Sequence, residues 1–187
     1  MITYREYCRR LNERKSKGCQ IREDWGKTSP IPKEVYDFPD PLKGINWIDL
    51  GLPSGTLWAD INVTNPLDNN PYWNWDDIMA SAYKNHVPTK EQLLELKDGH
   101  YCKWSWDNER AGYEVVSKKN GNSIFLPAGG WLESAVTGER SYGFYWSSTV
   151  LHKNAVHCLR FDRRHIELKN NFSHLGFSVR LVKNNEL

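Results

Sequence analysis

The sequence predicts an α+β domain over residues 45–187, with two helices, several short antiparallel strands and long loops. An N-terminal helix and a proline-rich connector over residues 1–44 precede it. Three observations predict this organisation: two short stretches with helical periodicity, several runs in which apolar and polar residues alternate, and many glycine and proline turns between them.

The composition is that of a globular protein. The chain has 187 residues, 39% of them hydrophobic, and its 25 lysines and arginines nearly balance its 23 aspartates and glutamates. Such a chain buries enough apolar surface to fold, which excludes disorder over the whole chain. No stretch approaches the roughly 18 consecutive apolar residues of a membrane span. We therefore expect no membrane insertion, and the near-neutral charge leads us to expect no nucleic-acid partner.

The first 44 residues differ from the rest of the chain in composition and pattern. Residues 3–17 predict a helix, with Thr3 and Glu6 as a capping box and a Tyr/Leu stripe on one face. This helix either packs on the domain as a solvated helix or serves as an arm for virion attachment or homo-oligomer contacts. Four prolines in residues 26–44 predict an extended connector. Since no secretory signal is visible, we expect synthesis in the cytoplasm without a signal peptide.

Two helices are predicted in the first half of the domain. Residues 75–84 form the first. Residues 89–97 form the second, because Thr89 and Gln92 complete a capping box at its start. The buried stripe of the second helix is expected at Leu93, Leu94 and Leu96.

Short strands are predicted along the whole domain, bounded by glycine, asparagine or proline turns. Before residue 150 they span residues 46–50, 56–59, 101–107, 112–117, 122–126 and 144–149. The glycine-rich residues 127–143 predict a loop. The clearest alternation comes later: Leu159 and Phe161 face one way, and Ile166 and Leu168 repeat the pattern. With a turn at Asp162-Arg163, these two runs predict a hairpin.

Residues 149–175 hold four of the six histidines and five basic against two acidic residues. The order of the histidines and Cys158 matches no zinc-ligand spacing. No glycine-rich loop supports a phosphate patch of Arg160, Arg163 and Arg164. Adjacent strand residues point to opposite faces, which argues against a nucleophilic pair of His157 and Cys158. An ordinary solvated hairpin stays an alternative, and we expect no catalytic residue, no metal and no cofactor.

Five sequence motifs occur in the same order as in a known protein family. They are WIDLGLPSGTLWA at 47–59, VPTKEQLLEL at 87–96, GNSIFLPAGG at 121–130, YGFYWSS at 142–148 and GFSVRLV at 176–182. Together they resemble the Fibrobacter succinogenes major paralogous domain, over residues 45–182. The resemblance implies a C-type lectin-like fold, related to the variable proteins of diversity-generating retroelements in Bacteroides and their phages.

In those variable proteins, adenine-directed mutagenesis rewrites a segment between a fixed aromatic strand and a fixed final strand, which matches residues 149–175 here. When both adenines of an AAC codon are randomised, the resulting codons never encode Lys, Glu, Gln, Met or Trp. Of the 27 residues from 149 to 175, only Lys153, Glu167 and Lys169 are of these types. The calcium motifs of sugar-binding C-type lectins are absent. The paired reactive cysteines of formylglycine-generating enzymes, to which the resemblance implies a more distant relation, have no counterpart either. Calcium-dependent sugar binding and catalysis therefore do not carry over.

The resemblance implies a ligand-binding variable protein: a phage tail receptor-binding protein or adhesin, associated with the virion, that recognises a host surface protein or glycan. The alternative is a structural virion or cell-envelope module with no diversified ligand site. Ala155, Leu159, Phe161, Ile166 and Leu168 would be the fixed inward residues. The expected contact surface comprises Val150, His152, Lys153, Val156, His157, Arg160, Asp162, Arg163, His165, Glu167, Lys169, Asn171, Phe172 and His174.

Overall fold

Small antiparallel sheets and two short helices make up the described part of the chain, which is residues 40–65 and 69–184 of a computed structural model. The chain divides into two units between Lys43 and Gly44, and all of the helices and strands given below belong to the second unit. Every strand pair within its sheets is antiparallel. This confirms the predicted α+β class. The predicted helix over residues 3–17 and residues 26–39 of the connector lie outside the described residues.

The elements are short and closely spaced. The helices are α1 (Trp75–Ala80) and α2 (Lys90–Lys97), with a 3-10 turn at Lys84–His86 between them. The strands are β1 (Trp47–Asp49), β2 (Thr56–Asn62), β3 (Cys102–Asp107), β4 (Gly112–Ser117), β5 (Ser123–Pro127), β6 (Trp131–Leu132), β7 (Val136–Thr137), β8 (Gly143–His152), β9 (Ala155–Phe161), β10 (Ile166–Phe172) and β11 (Arg180–Asn184). Three sheets have the orders β1-β2-β11, β3-β4-β5 and β8-β9-β10, and β6 pairs with β7.

Helix α2 has the predicted capping box. The Gln92 backbone N–H donates to the Thr89 hydroxyl at 3.2 Å, and the Thr89 N–H donates to the Gln92 side-chain oxygen at 2.9 Å. Leu93 and Leu96 are buried, but Leu94 is 41% exposed, so its predicted place in the buried stripe is wrong. Neighbouring helix residues are about 100° apart, so Leu94 points away from the face that Leu93 and Leu96 share.

Helix α1 is shorter than predicted, because it ends at Ala80 rather than continuing to residue 84. The Ser81 hydroxyl donates to the Ile78 carbonyl at 2.7 Å, and the Ser81 N–H donates to the same carbonyl at 3.1 Å. Side-chain bonds of this kind compete with the helical ladder and favour its end. At the other end, the Asn74 side chain accepts the N–H of Asp77 and begins the helix.

The glycine-rich residues 127–143 contain the small hairpin β6–β7, where only a loop was predicted. Two-residue strands are too short to show an alternating pattern, so the sequence carries no clear signal for them. The hairpin is fixed by Trp131, whose ring meets those of Tyr142 and Phe144 edge to face, at centroid distances of 6.2 and 5.4 Å. This contact packs the β6–β7 hairpin against the start of β8.

Phe161 lies at the centre of an aromatic cage in the core. Its ring is fully buried, and its centroid is 5.4 Å from that of Tyr113 and 5.9 Å from that of Tyr145. Trp104 and Trp106 meet it edge to face at 6.3 and 6.5 Å. Pairs of this kind add to the stabilisation from buried area. The end of β9 is therefore held rigidly on the core.

A buried arginine joins three strands and was not anticipated from the sequence. Arg180, at the start of β11, is 2% exposed and donates to the carbonyls of Ala59 in β2 and Phe125 in β5, at 2.9 and 2.6 Å. It also donates to the Asn62 side chain at 2.8 Å. Burial lowers the pKa of Arg180, and the nearby Tyr145 hydroxyl opposes that shift. Because a buried cation requires such partners, Arg180 fixes the relative position of these strands.

Candidate functional site

The predicted hairpin is present as β9 and β10. Phe161 pairs with Ile166 and Ala155 pairs with Phe172 at its two ends. The connecting turn is closed by Asp162, whose N–H donates to the His165 carbonyl at 3.0 Å. The Asp162 carboxylate accepts the N–H groups of Arg164 and His165 at 2.8 and 3.0 Å. This aspartate is a favoured turn residue because its side chain satisfies the backbone locally.

The inward face of the hairpin is placed as predicted. Leu159 and Phe161 are buried in the main core, and Ile166 and Leu168 pack against it while half-buried. Ala155 is also buried. The other face of β9 differs from expectation, because Val156 is only 1% exposed and Cys158 is fully buried. Val156 was therefore wrongly assigned to the contact surface: β9 is the central strand of its sheet and is buried on both faces.

The remaining predicted contact residues do not form one patch. One group is exposed at the open end of the hairpin and comprises Val150, His152, Lys153, Phe172 and His174. A second lies at the turn and comprises Asp162, Arg163 and His165. A third lies along the outer face and comprises Arg160, Glu167, Lys169 and Asn171. Six residue steps separate the two ends of the hairpin, so they lie roughly 20 Å apart. By strand alternation, His157 shares the face of Leu159 rather than that of Arg160.

The outer face carries an ion-pair network centred on Arg160. Its guanidinium lies 2.9 Å from the Asp162 carboxylate and 3.0 Å from that of Glu167, and Lys169 reaches Glu167 at 3.2 Å. The same guanidinium lies 4.9 Å from the centre of the Tyr142 ring. With its side chain only 18% exposed, Arg160 holds the outer face together and offers few free donors to a ligand.

A cleft of about 430 Å³ lies beside the hairpin turn. We name it the turn cleft, and its main lining residues are Trp106, Asn108, Arg140, Tyr142, Asp162, Arg163, Arg164 and His165. It therefore joins the turn group of the predicted surface to residues of two other segments, 106–111 and 140–142. The sequence places Arg164 only in a possible phosphate patch and carries no site signal for Trp106, Asn108, Arg140 or Tyr142.

The side chains of the turn cleft are held in place by specific contacts. Arg163 donates to the side-chain oxygen of Asn108, and its guanidinium lies 6.0 Å from the centre of the Trp106 ring. Arg140 donates to the backbone carbonyl of Glu109 at 3.0 Å. These contacts are to neutral groups, so they orient both guanidinium groups without neutralising them.

Asp162 supplies the carboxylate of the turn cleft. Its partial burial would raise the pKa of this carboxyl group, but the N–H groups of Arg164 and His165 and the charge of Arg160 outweigh that effect. The pKa therefore lies below its ordinary value of 3.8. The carboxylate is ionised at neutral pH, and its charge is directed at Arg160.

A larger cleft of about 790 Å³ lies between the start of α2, the 3-10 turn and β11. Lys84, His86 and Lys183 are among its lining residues, and His86 Nδ1 lies 3.0 Å from the Val182 carbonyl. None of the predicted contact residues lines it. Of these two clefts, the turn cleft is the one that the ligand surface expected from the sequence lines.

The two cysteines of the described region are free and buried. Burial raises the pKa of both Cys102 and Cys158 to about 11, and Asn171 donates to the Cys158 sulfur at 3.2 Å. His157 lies on the opposite face of β9, so the two groups do not form an activated pair. Within residues 40–65 and 69–184, no three His, Cys, Asp or Glu side chains converge on a potential metal position. The same residues include no helix with the length and apolar content to cross a bilayer.

Comparison with known families gives one match. Residues 102–182, less than half of the chain, match a family described as a domain of unknown function (DUF8237). This stretch begins at β3 and ends within β11, so it includes the hairpin and the turn cleft. No curated protein and no solved structure matches the chain.

Proposed function

We propose that the domain is a ligand-binding module with a C-type lectin-like fold that acts as a phage tail receptor-binding protein or adhesin and carries no catalytic step. In this proposal its partner is a host surface protein or glycan, and residues 1–44 attach it to the virion or to further copies. The α+β architecture of small antiparallel sheets and two short helices supports this fold.

The observation that carries the proposal is the construction of the β9–β10 hairpin. Its inner face is locked by Phe161 and Leu159, which are both fully buried. Its ends present exposed side chains of mixed chemistry, among them Arg163 and Phe172, and Phe172 is 62% exposed. A rigid scaffold with irregular exposed groups tolerates changes in those groups without unfolding. Such a surface suits ligand binding better than a purely structural role does.

Binding of the purified chain to host cells tests the proposal. The probe is the fluorescently labelled full-length chain, and the targets are a panel of Bacteroides strains that differ in surface glycans. Arg163→Ala and Phe172→Ala should each reduce binding at least several-fold, since both side chains are exposed at the ends of the hairpin. Lys119→Ala and Ile61→Ala are matched controls, because both side chains are exposed away from the hairpin, Lys119 in the turn between β4 and β5 and Ile61 in β2.

Two outcomes would contradict the proposal. Absence of binding to every strain, with the folded state verified by circular dichroism, would favour the structural alternative. Binding that Arg163→Ala and Phe172→Ala leave unchanged would move the ligand surface away from the hairpin. Arg160→Ala is a poor probe, because it removes the ion pairs with Asp162 and Glu167 together with any ligand contact, so the two effects cannot be separated.

Deep sequencing of the gene and its flanking DNA across sibling isolates tests the diversified nature of the surface. The proposal expects substitutions confined to residues 149–175, at codons matched by adenines in a nearby template repeat. Uniform sequence, or scattered variation without a template, would contradict diversification and leave a fixed binding or structural module.

A further inference from the structure

The turn cleft has an excess of positive charge that its own surroundings do not balance. Its lining includes three arginines, Arg140, Arg163 and Arg164, against the single carboxylate of Asp162. That carboxylate is already paired with Arg160. Within the described part of the chain, no carboxylate lies within ion-pair distance of the three arginines. An anion entering the cleft would therefore meet uncompensated cations.

Arg163 is arranged to receive such an anion. Its guanidinium donates to the side-chain oxygen of Asn108 and lies 6.0 Å from the centre of the Trp106 ring. A guanidinium has five N–H donors in a planar fork, so these contacts leave donors for a second partner. Because the group is already oriented, little conformational freedom is lost when it binds.

The walls of the turn cleft add two aromatic rings to these cations. Trp106 and Tyr142 are both half-buried and line the cleft. Each ring also lies beside a guanidinium, that of Arg163 at 6.0 Å from the centre of Trp106 and that of Arg160 at 4.9 Å from the centre of Tyr142. Apolar ring surface beside a few oriented polar groups is typical of small-molecule sites. The volume of about 430 Å³ falls within the usual range of such sites. A ligand with both an anionic group and a compact, partly apolar ring matches this combination.

We propose that the turn cleft binds an anionic sugar residue, with its carboxylate or sulfate on Arg163 and Arg164 and its ring against Trp106 and Tyr142. This inference rests on the proposed function and specifies one ligand class for it. Charge-assisted hydrogen bonds to a forked guanidinium supply most of the affinity, and the ring contact supplies the preference for a sugar over a free anion. No bound cation is needed, because the arginines provide the positive charge.

The experiment uses the full chain and calorimetric titration with defined probes. The carboxylated probes are sialyllactose and a glucuronic acid disaccharide, the sulfated probe is a galactose-sulfate disaccharide, and the neutral probe is lactose. Inorganic phosphate tests for a plain anion site. We expect at least tenfold tighter binding of one acidic probe than of lactose, weaker binding at higher salt, and no effect of EDTA. Comparison of the carboxylated probes with the sulfated probe decides which of the two anionic groups the cleft binds.

The variants locate the site. Arg163→Ala and Arg164→Ala should each weaken binding of the acidic probe about tenfold or more, while Lys119→Ala leaves it unchanged. Arg163→Lys should recover only part of the loss, since lysine keeps the charge but not the fork. Thermal melting checks that each variant is folded, and both arginines are exposed turn residues whose removal leaves the core intact.

Several results would overturn the inference. These are equal binding of lactose and the acidic probes, equal binding of phosphate and the acidic sugars, loss of binding in EDTA, or insensitivity to both arginine variants. Failure of the proposed function is distinguishable, because cell binding is measured separately. A chain that binds cells but no acidic sugar refutes the sugar site alone, whereas a chain that binds neither refutes both.

Discussion

Gly143→Ala tests how firmly the core holds the hairpin. A Cβ at Gly143 would overlap three atoms of the Phe161 ring. The ring has little space to withdraw, because it is fully buried and packed against Tyr113 and Tyr145. Carbon atoms prefer a separation of about 3.5–4.0 Å, so either the ring leaves its rotamer or β8 moves away from β9. Overpacking of this kind costs about 1–3 kcal/mol, which lowers the Tm of a chain of this size by roughly 3–10 °C.

Urea unfolding followed by tryptophan fluorescence measures the effect. Gly129→Ala is the matched control, since its new Cβ would lie 3.5 Å from Ser178 and 4.0 Å from Tyr72, and it should change stability by less than about 0.5 kcal/mol. In the double variant with Phe161→Leu, the smaller side chain makes room for the methyl group. The combined loss should then fall short of the sum of the single losses by about 1 kcal/mol. Wild-type stability for Gly143→Ala, or strict additivity, would refute the packing argument.

The remaining predictions concern a helix cap, a carboxylate and a thiol. Thr89→Ala removes the hydroxyl that accepts the Gln92 N–H, so urea unfolding should show a loss of about 1 kcal/mol, and an unchanged midpoint would contradict the capping role. The folded-state pKa of Asp162 is lowered, so its carboxylate contributes stability above pH 3.8 that is lost as the pH falls through the folded value. The Tm of Asp162→Asn should therefore fall less steeply than that of wild type as the pH is lowered below about 4, and a parallel fall of the two would contradict this. Iodoacetamide should label Cys158 only after unfolding, because burial raises its pKa to about 11, and peptide mapping that finds native labelling would contradict it.

The elements that the sequence predicts well are those determined by residues close together in the chain. The capping box of α2 needs only Thr89 and Gln92, three positions apart, and both bonds are present. The β9–β10 hairpin needs only the alternation that ends at Phe161 and resumes at Ile166. Where a single side chain determines the end of a helix, the local sequence pattern predicts that end less well. Ser81 ends α1 by bonding to Ile78, although the following residues are compatible with a helix.

The turn cleft was beyond prediction because its parts are distant in sequence. Trp106, Arg140 and Arg163 lie 34 and 23 positions apart, and only the packing of β3 and of the loop before β8 on the hairpin brings them together. The error at Val156 has a related cause. Alternation predicts one buried and one solvated face, but β9 is the central strand of its sheet and is buried on both.

The burial of β9 limits where a binding surface on this hairpin is able to vary. Changes at Val156 or Cys158 would disturb the core, so tolerated variation belongs to β10, to the turn and to the open end of the hairpin. Because the last two regions are roughly 20 Å apart, a single sugar residue in the turn cleft contacts Arg163 but not Phe172. Loss of cell binding in both Arg163→Ala and Phe172→Ala would therefore require an extended receptor that spans the hairpin, whereas loss in Arg163→Ala alone would reduce the site to the turn cleft.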